Sequence, residues 1–209
     1  MRLTVIAIIV GALASAASGG VVISEWMYSG TNGEFIEFTN IGPAPVDMTN
    51  WSYSDTDAEP GDVSFLDVFG VVQPGQSVIL TEADPASFRS AWGLADSVKV
   101  FGPNTDSNLG RNDQINLYDA GGSLIDQFSF GDQTYPGTPR TQNRSCNIPA
   151  TDYDYTVAQT SWVLASWGDD YGSWTSSGYD VGSPGIVVPE PATFALVAFC
   201  GLLGARRRA

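Results

Sequence analysis

Short runs of β-branched and aromatic residues, separated by turn residues, constrain most strongly how this chain can fold. They recur about every ten residues, and Gly, Pro, Asn or Asp bounds each of them. The predicted strands cover residues 21–27, 34–40, 46–54, 63–72, 77–81, 97–101, 114–118 and 123–130. Such spacing predicts an all-β fold, either a sandwich or a barrel.

The clearest predicted hairpin spans residues 113–131. Apolar and polar residues alternate on its first strand, and the glycines at the end of residues 119–122 suit a turn with positive φ. The apolar face of the returning strand is formed by Leu124, Phe128 and Phe130. Asp126 falls on that same face. A buried carboxylate needs hydrogen-bond partners, so Asp126 is either a structural acceptor for loop N–H groups or a site residue.

One short helix is predicted after residue 83. Asp84 suits the N-cap and Pro85 the first helical position, while Phe88 and Trp92 lie four residues apart on one face. After residue 130 the pattern loosens. Long loops with one or two closing strands are predicted there, the best candidate strand being residues 156–166.

The first 18 residues have the layout of a secretory signal peptide. A positive Arg2 is followed by an apolar run at residues 3–13 and small residues at 14–18. Cleavage after Ala16 and cleavage after Ser18 both fit. The alternative is an N-terminal membrane anchor, but the apolar run has only about half of the ~20 residues that a spanning helix needs. Export with cleavage is therefore favoured.

The C-terminus combines a short turn, an uncharged apolar stretch at residues 192–205 and a basic end. The turn and the basic end consist of Pro189, Glu190, Pro191, Arg206, Arg207 and Arg208. The stretch is short for a span, but a proline suits the first turn of a helix and the arginines favour the cytoplasmic side. The pattern predicts a single transmembrane helix in the precursor, with the rest of the chain outside.

This arrangement resembles the PEP-CTERM sorting signal over residues 187–209. The resemblance implies export, transient anchoring in the inner membrane and processing by an exosortase near the Pro-Glu-Pro sequence. It also implies a destination in the cell envelope or in an extracellular matrix associated with exopolysaccharide. Cys200 departs slightly from the usual filling of the apolar stretch, but it is itself apolar.

Between the end segments, residues 19–186 carry a large excess of negative charge. Of 9 basic and 23 acidic residues, four basic and one acidic lie in the end segments, which leaves a net charge of −17. Such a surface repels phosphate backbones, so no nucleic-acid partner is expected. The charge suits solubility outside the cell. Binding of divalent cations by some carboxylates is the alternative.

Histidine is absent from the chain, which excludes Ser-His-Asp and Cys-His catalytic sites and removes the commonest zinc ligand. Cys146 has no disulfide partner, because Cys200 lies in the apolar stretch. No catalytic residues and no bound cofactor are therefore predicted, calcium aside.

Residues 34–42 read Glu-Phe-Ile-Glu-Phe-Thr-Asn-Ile-Gly, and residues 46–55 read Val-Asp-Met-Thr-Asn-Trp-Ser-Tyr-Ser-Asp. These blocks, with weaker matches further along, resemble the lamin tail domain of exported bacterial proteins over residues 21–186. The weaker matches lie at residues 72–76, 112–119, 125–126 and 182–185. The resemblance implies an immunoglobulin-like antiparallel β-sandwich, and we assign the domain to residues 19–186.

Two details of this resemblance concern single residues. Asn50 stands where the family usually has glycine, and Asn tolerates left-handed backbone geometry. The arginine that often follows the last hairpin of the family is either Arg140 or Arg144.

The densest acidic stretch, residues 55–62, begins like an EF-hand. Its glycine arrives at position 7 instead of 6, and position 12 is Leu66, so an EF-hand is excluded. A solvated acidic loop is the favoured interpretation and a looser Ca²⁺ site the alternative. The candidate ligands are Asp55, Asp57, Glu59 and Asp62.

Two further groups of residues are candidate sites. Glu34 and Glu37 point to opposite faces of a predicted strand, so they cannot flank one glycosidic bond, and contacts that tie loops or sheet edges are predicted instead. Trp162, Trp167 and Trp174 lie among Ser, Gly and Asp. Such rings either pack as a lid on the sandwich or stack on sugar rings.

The sequence therefore predicts a non-enzymatic exported protein of the cell surface or extracellular matrix, an exosortase substrate with a structural or interaction role. A polysaccharide-binding module, with or without help from Ca²⁺, is the alternative. The expected partners are the exosortase and the export machinery, the inner membrane transiently, and exopolysaccharide or other surface proteins. The least favoured hypothesis is an enzyme that uses carboxylates and a metal.

Overall fold

The computed structural model describes residues 20–56, 64–105, 107–149 and 161–186. Within these ranges the chain forms short strands, one α-helix, α1 (Pro85–Trp92), and a 3₁₀ turn (Asp67–Phe69). The strands are β1 (Val21–Met27), β2 (Phe35–Asn40), β3 (Val46–Asp47), β4 (Ser52–Ser54), β5 (Ser64–Phe65), β6 (Val71–Val72), β7 (Ser77–Thr81), β8 (Lys99–Phe101), β9 (Asp113–Tyr118), β10 (Leu124–Phe130), β11 (Cys146–Asn147), β12 (Val163–Leu164), β13 (Trp174–Thr175) and β14 (Val181–Gly182).

Two sheets enclose the main core, in agreement with the predicted all-β, immunoglobulin-like fold. The first sheet has the order β12-β11-β1-β2-β7-β8 and the second the order β10-β9-β4-β5. The described strand pairs are antiparallel except β7 and β8, where Val78 pairs with Lys99 in parallel. Helix α1 lies in the connection between these two strands, because parallel neighbours need a crossover. The expected purely antiparallel arrangement is therefore wrong at this edge.

Alternation along the strands places one face of the first sheet in the core between the sheets. Ile36 and Phe38 of β2 point into this core, which the second sheet fills with aromatic and aliphatic side chains. Trp26 of β1 lies among them, with its ring centroid 3.9 Å from that of Phe130 and 5.4 Å from that of Phe128. Packing of large rings from both sheets is therefore the main apolar contact of the domain.

Part of the outer face of the first sheet is covered by α1. The second apolar cluster consists of Met27, Phe35, Ile79, Phe88 and Trp92. The helix begins as predicted: Asp84 accepts the N–H of Ser87 at 2.9 Å, and Pro85 is the first helical residue. It ends at Gly93, whose φ of 64° suits glycine.

The predicted hairpin is confirmed as β9 and β10, but the register shifts between Leu124 and Asp126. A bulge of this kind moves the residues before it out of phase with those after it. Leu124 is therefore 46% exposed instead of sharing the core face with Phe128 and Phe130. Asp126 accepts the backbone N–H of Ile23 at 2.8 Å, so it is a structural acceptor that links the two sheets.

Two predicted strands are interrupted in the structure. Residues 46–54 divide into β3 and β4, with Asn50 between them at a φ of 62°. Residues 64–72 divide into β5, the 3₁₀ turn and β6, with Gly70 at a φ of 51° before β6. A residue with positive φ does not continue an extended strand. Each of the two predicted strands is therefore longer than the strands that the structure contains.

In the parts of the chain that the structure describes, no helix is long and apolar enough to cross a membrane. The predicted signal peptide at 1–18 and the predicted transmembrane helix at 192–205 lie outside the described residues. Of the predicted closing strand at 156–166, Val163–Leu164 forms β12 at the edge of the first sheet, while residues 156–160 are outside the described ranges.

Candidate functional site

Two buried glutamates lie side by side on the outer face of the first sheet. Glu25 of β1 and Glu37 of β2 are cross-strand partners, and each is 1% exposed. Glu37 Oε1 accepts hydrogen bonds from the hydroxyl groups of Ser24, Thr39 and Ser77 at 2.8, 3.3 and 2.9 Å. Burial raises the pKa of both carboxyl groups, that of Glu25 to about 8, and the nearby charge of Glu37 raises the pKa of Glu25 further.

The segment at residues 181–185 covers these two glutamates. The backbone N–H of Ser183 donates to Glu25 Oε1 at 2.8 Å, and that of Gly185 donates to Glu37 Oε2 at 2.5 Å. The predicted sorting signal starts at residue 187, two residues after Gly185. The carboxyl pair therefore anchors the end of the described domain.

A third buried glutamate lies at the start of β2. Glu34 Oε2 accepts the backbone N–H of Leu109 at 2.7 Å. Burial raises the pKa of Glu34 to about 8, with smaller contributions from the charges of Glu82, Asp55 and Asp113. In the described residues Glu34 and Glu37 share no hydrogen-bond partner. The hydrogen bond from Leu109 is a contact of the predicted kind, in which a glutamate holds a loop.

The acidic stretch is described only in part. Asp55 is half-buried near Glu34, whereas Asp57, Glu59 and Asp62 lie outside the described residues. Within residues 20–56, 64–105, 107–149 and 161–186, no group of three or more His, Cys, Asp or Glu side chains could hold a metal ion. The Ca²⁺ alternative therefore depends on residues that the structure does not describe.

The three tryptophans proposed as ligand contacts have different environments. Trp162 is buried in the main core, with its ring centroid 4.3 Å from that of Phe128, so the ligand contact predicted for it is wrong. Trp174 is half-buried against Trp92 and donates its Nε1–H to the carbonyl of that residue at 3.0 Å. These two rings pack as part of the domain, which is the lid arrangement that the sequence also allowed.

Trp167 is instead 78% exposed. It lies in a turn that Asp169 organises by accepting the backbone N–H groups of Ser166, Tyr171 and Ser173 at 2.8, 3.1 and 3.0 Å. The ring is therefore presented to solvent by an ordered turn. A large exposed apolar ring on such a turn is available for contact with a ligand.

A surface cleft of about 460 Å³ lies beside the start of α1. Its polar lining includes Asn32, Glu82, Ser87, Asn104 and Asn108. Among the described lining residues Glu82 is the one titratable group, so the cleft offers no general acid paired with a base. Its amides and hydroxyl groups suit hydrogen bonds with a polar ligand, not proton transfer.

Cys146 is buried, and burial together with the charge of Glu25 raises the pKa of its thiol well above the usual value. A thiol in such a site is not a reactive nucleophile. Its side chain packs in the main core beside Trp26, its cross-strand partner in β1. Cys146 is therefore a structural residue.

The chain matches the Lamin Tail Domain family over residues 14–132, which include the Glu-Phe-Ile-Glu sequence at residues 34–37. The chain belongs to the lamin tail domain family. A second match covers residues 187–209 and is to the PEP-CTERM protein-sorting motif. A comparison with curated proteins finds no match. The two families named from the sequence are therefore confirmed.

The match to the lamin tail domain ends at residue 132, but the first sheet continues beyond it. β11 pairs with β1 through Glu25 and Asn147, and β12 pairs with β11 through Cys146 and Leu164. Later parts of the chain therefore complete the sheet and cover its outer face.

Sequence reasoning missed Glu25 as a member of the buried pair. The available signal was a carboxylate in the middle of the apolar run at residues 21–27. A bulge between Ile23 and Glu25 changes the phase of β1, so the pairing of Glu25 with Glu37 was not readable from alternation alone.

Proposed function

We propose that this lamin tail domain protein is a non-enzymatic exosortase substrate that acts at the cell surface or in the extracellular matrix through a structural or interaction role. The observation that carries the proposal is the PEP-CTERM motif at 187–209, directly after a sandwich described to residue 186. The match to the lamin tail domain, together with the sorting motif, supports a non-enzymatic role.

The partners follow from the same motif. The export machinery carries the chain across the inner membrane, and the apolar stretch at 192–205 anchors the precursor there, with Arg206–Arg208 on the cytoplasmic side. The exosortase then processes the chain near Pro189–Pro191. The domain carries a net charge of −17, so phosphate backbones of nucleic acids are repelled.

The test is made in producing cells that carry or lack the exosortase. In cells with the enzyme we expect a mature form that ends near residue 190 in C-terminal mass analysis and leaves the inner-membrane fraction. Without the enzyme, or with Pro189, Glu190 and Pro191 changed to Ala, the longer form should stay in that fraction. Equal mass and equal distribution in all three strains would contradict the proposal.

Contact with polysaccharide is a second candidate, favoured by the exposure of Trp167 on an ordered turn. Aromatic rings of this kind stack on apolar faces of sugars while polar neighbours bind hydroxyl groups. The test is affinity electrophoresis of the chain in the producer's own polysaccharide, with Ca²⁺ or with chelator. Trp167→Ala should abolish retardation, and Leu124→Ala, which removes an exposed apolar side chain elsewhere, should not. Equal migration of both variants and the wild type would exclude this candidate.

A further inference from the structure

The outer face of the first sheet contains two buried carboxyl groups, and among the described residues neither forms an ion pair. The charged or titratable groups on the elements and segments that contact β1 and β2 or cover the pair include Arg89, Asp113, Asp126, Arg144, Cys146 and Asp180. The guanidinium group of Arg89 donates to the carbonyls of Ala95 and Val98, and that of Arg144 donates to Ala165 and Ser166. In the described residues neither arginine donates to a glutamate of the pair.

Two adjacent carboxylates cannot both remain charged in such a site, so the pair retains a proton. The hydrogen bonds of the two carboxyl groups indicate which of them holds this proton. Both oxygens of Glu37 accept hydrogen bonds, one of them from a backbone N–H, which suits a carboxylate. Glu25 Oε1 accepts from Ser145 and Ser183, whereas its buried Oε2 has no partner among the described groups. The proton therefore belongs on Glu25.

The covering segment is shaped for close contact with this pair. A Cβ atom at Gly182 would lie 2.7 Å from Ser145 Oγ and 3.0 Å from Glu25 Oε1, so a side chain there would displace the segment. Gly185 has a φ of 83°, which suits glycine at the point where its N–H meets Glu37. The Oγ of Ser183 adds a hydrogen bond to Asn147 Oδ1 at 3.1 Å.

We propose that Glu25 and Glu37 form a carboxyl clasp that binds residues 181–185 to the sheet and sets where the folded domain ends relative to the sorting motif. The clasp consists of the two carboxyl groups and the N–H groups of Ser183 and Gly185. The consequence for processing rests on the proposed function, whereas the clasp itself does not. Loss of the shared proton brings two negative charges together and opens the clasp.

The clasp is tested by hydrogen exchange of the purified full chain in detergent. No exosortase is present in this experiment, so a negative result contradicts the clasp and not the proposed function. Amides of residues 181–186 are followed at about pH 6 and about pH 9.5, with correction for intrinsic exchange rates. In the wild type their protection should fall about tenfold or more at the higher pH, while the β9–β10 hairpin keeps its protection.

Three variants sharpen this test. Glu25→Gln retains the acceptor for Ser183 but cannot ionise, so protection should persist at the higher pH. Glu37→Leu removes the acceptor for Gly185, so protection should be low at both pH values. Asp96→Asn, which removes an exposed charge outside the clasp, should behave as the wild type.

The proposal is overturned if the wild type shows no pH-dependent loss confined to residues 181–186, or if Glu25→Gln shows the same loss as the wild type. Circular dichroism confirms that each variant is folded. Should Glu37→Leu fail to fold, the wild type and Glu25→Gln still decide the outcome.

Discussion

In the central strands β1, β2 and β7 of the first sheet both faces are buried, but the two faces are built from different chemistry. On the inner face Trp26, Ile36 and Phe38 pack against the rings of the second sheet. On the outer face Glu25 and Glu37 are equally inaccessible, and hydroxyl and backbone N–H groups donate to three of their four carboxyl oxygens. A buried position in this sheet is therefore not always apolar, because residues 181–185 cover the outer face and donate backbone N–H groups to the two glutamates.

The largest effect is expected on the inner face. Trp26→Ala removes a ring that contacts aromatic side chains of the other sheet, and we expect the free energy of unfolding to fall by about 3–5 kcal/mol. Trp26→Phe should cost less, since the indole N–H of Trp26 has no partner among the described groups. Urea unfolding measures both. A smaller loss for Ala than for Phe would contradict this account of the core.

The next effect concerns the polar face. Glu37→Leu leaves the N–H of Gly185 without its acceptor and removes the acceptor of three hydroxyl groups, which should cost about 3 kcal/mol. Urea denaturation of this variant is compared with that of Thr56→Ala, a change at an exposed residue two positions after β4. A loss below that of Thr56→Ala would show that the layer contributes little to stability.

The free energy of unfolding should depend on pH because of the buried glutamates, whereas the apolar inner face contributes no such dependence. The folded chain raises the pKa of Glu25 and Glu34 to about 8 and also raises that of Glu37, so it retains protons that the unfolded chain releases above the ordinary value of 4.5. This stability is fully present below pH 4.5 and is lost as the pH rises to about 8. Urea titrations across this range measure it. Glu25→Gln should make the profile shallower but not flat, because Glu34 still titrates, and an unchanged slope would contradict the assignment of Glu25.

The smallest effect is expected at the surface. Trp167→Ala should change the free energy of unfolding by less than about 0.5 kcal/mol, because the ring is 78% exposed. Trp162→Ala, in the core, should cost about 3 kcal/mol or more. Thermal unfolding of the pair checks the difference. Equal losses would mean that Trp167 packs on the domain.

Much of the fold was within reach of sequence reasoning, whereas the assembly of the candidate site was not. Asp84, Pro85, Phe88 and Trp92 identified α1, because capping and helical spacing are local properties. A carboxylate on an apolar face indicated that Asp126 is either a structural acceptor or a site residue, and the structure shows the first. Its donor, the N–H of Ile23, lies 103 residues away and was not predictable from local pattern.

The sequence by itself determined the strand-rich fold, the helix and both family memberships, because hydrophobic alternation, turn residues and terminal motifs are local in the chain. Only the tertiary structure decided which tryptophans are exposed, where bulges change the phase of β1 and β10, and that Glu25 meets Glu37 under residues 181–185. Those outcomes depend on contacts between segments far apart in sequence, since pairing register and burial are settled when the sheets pack together.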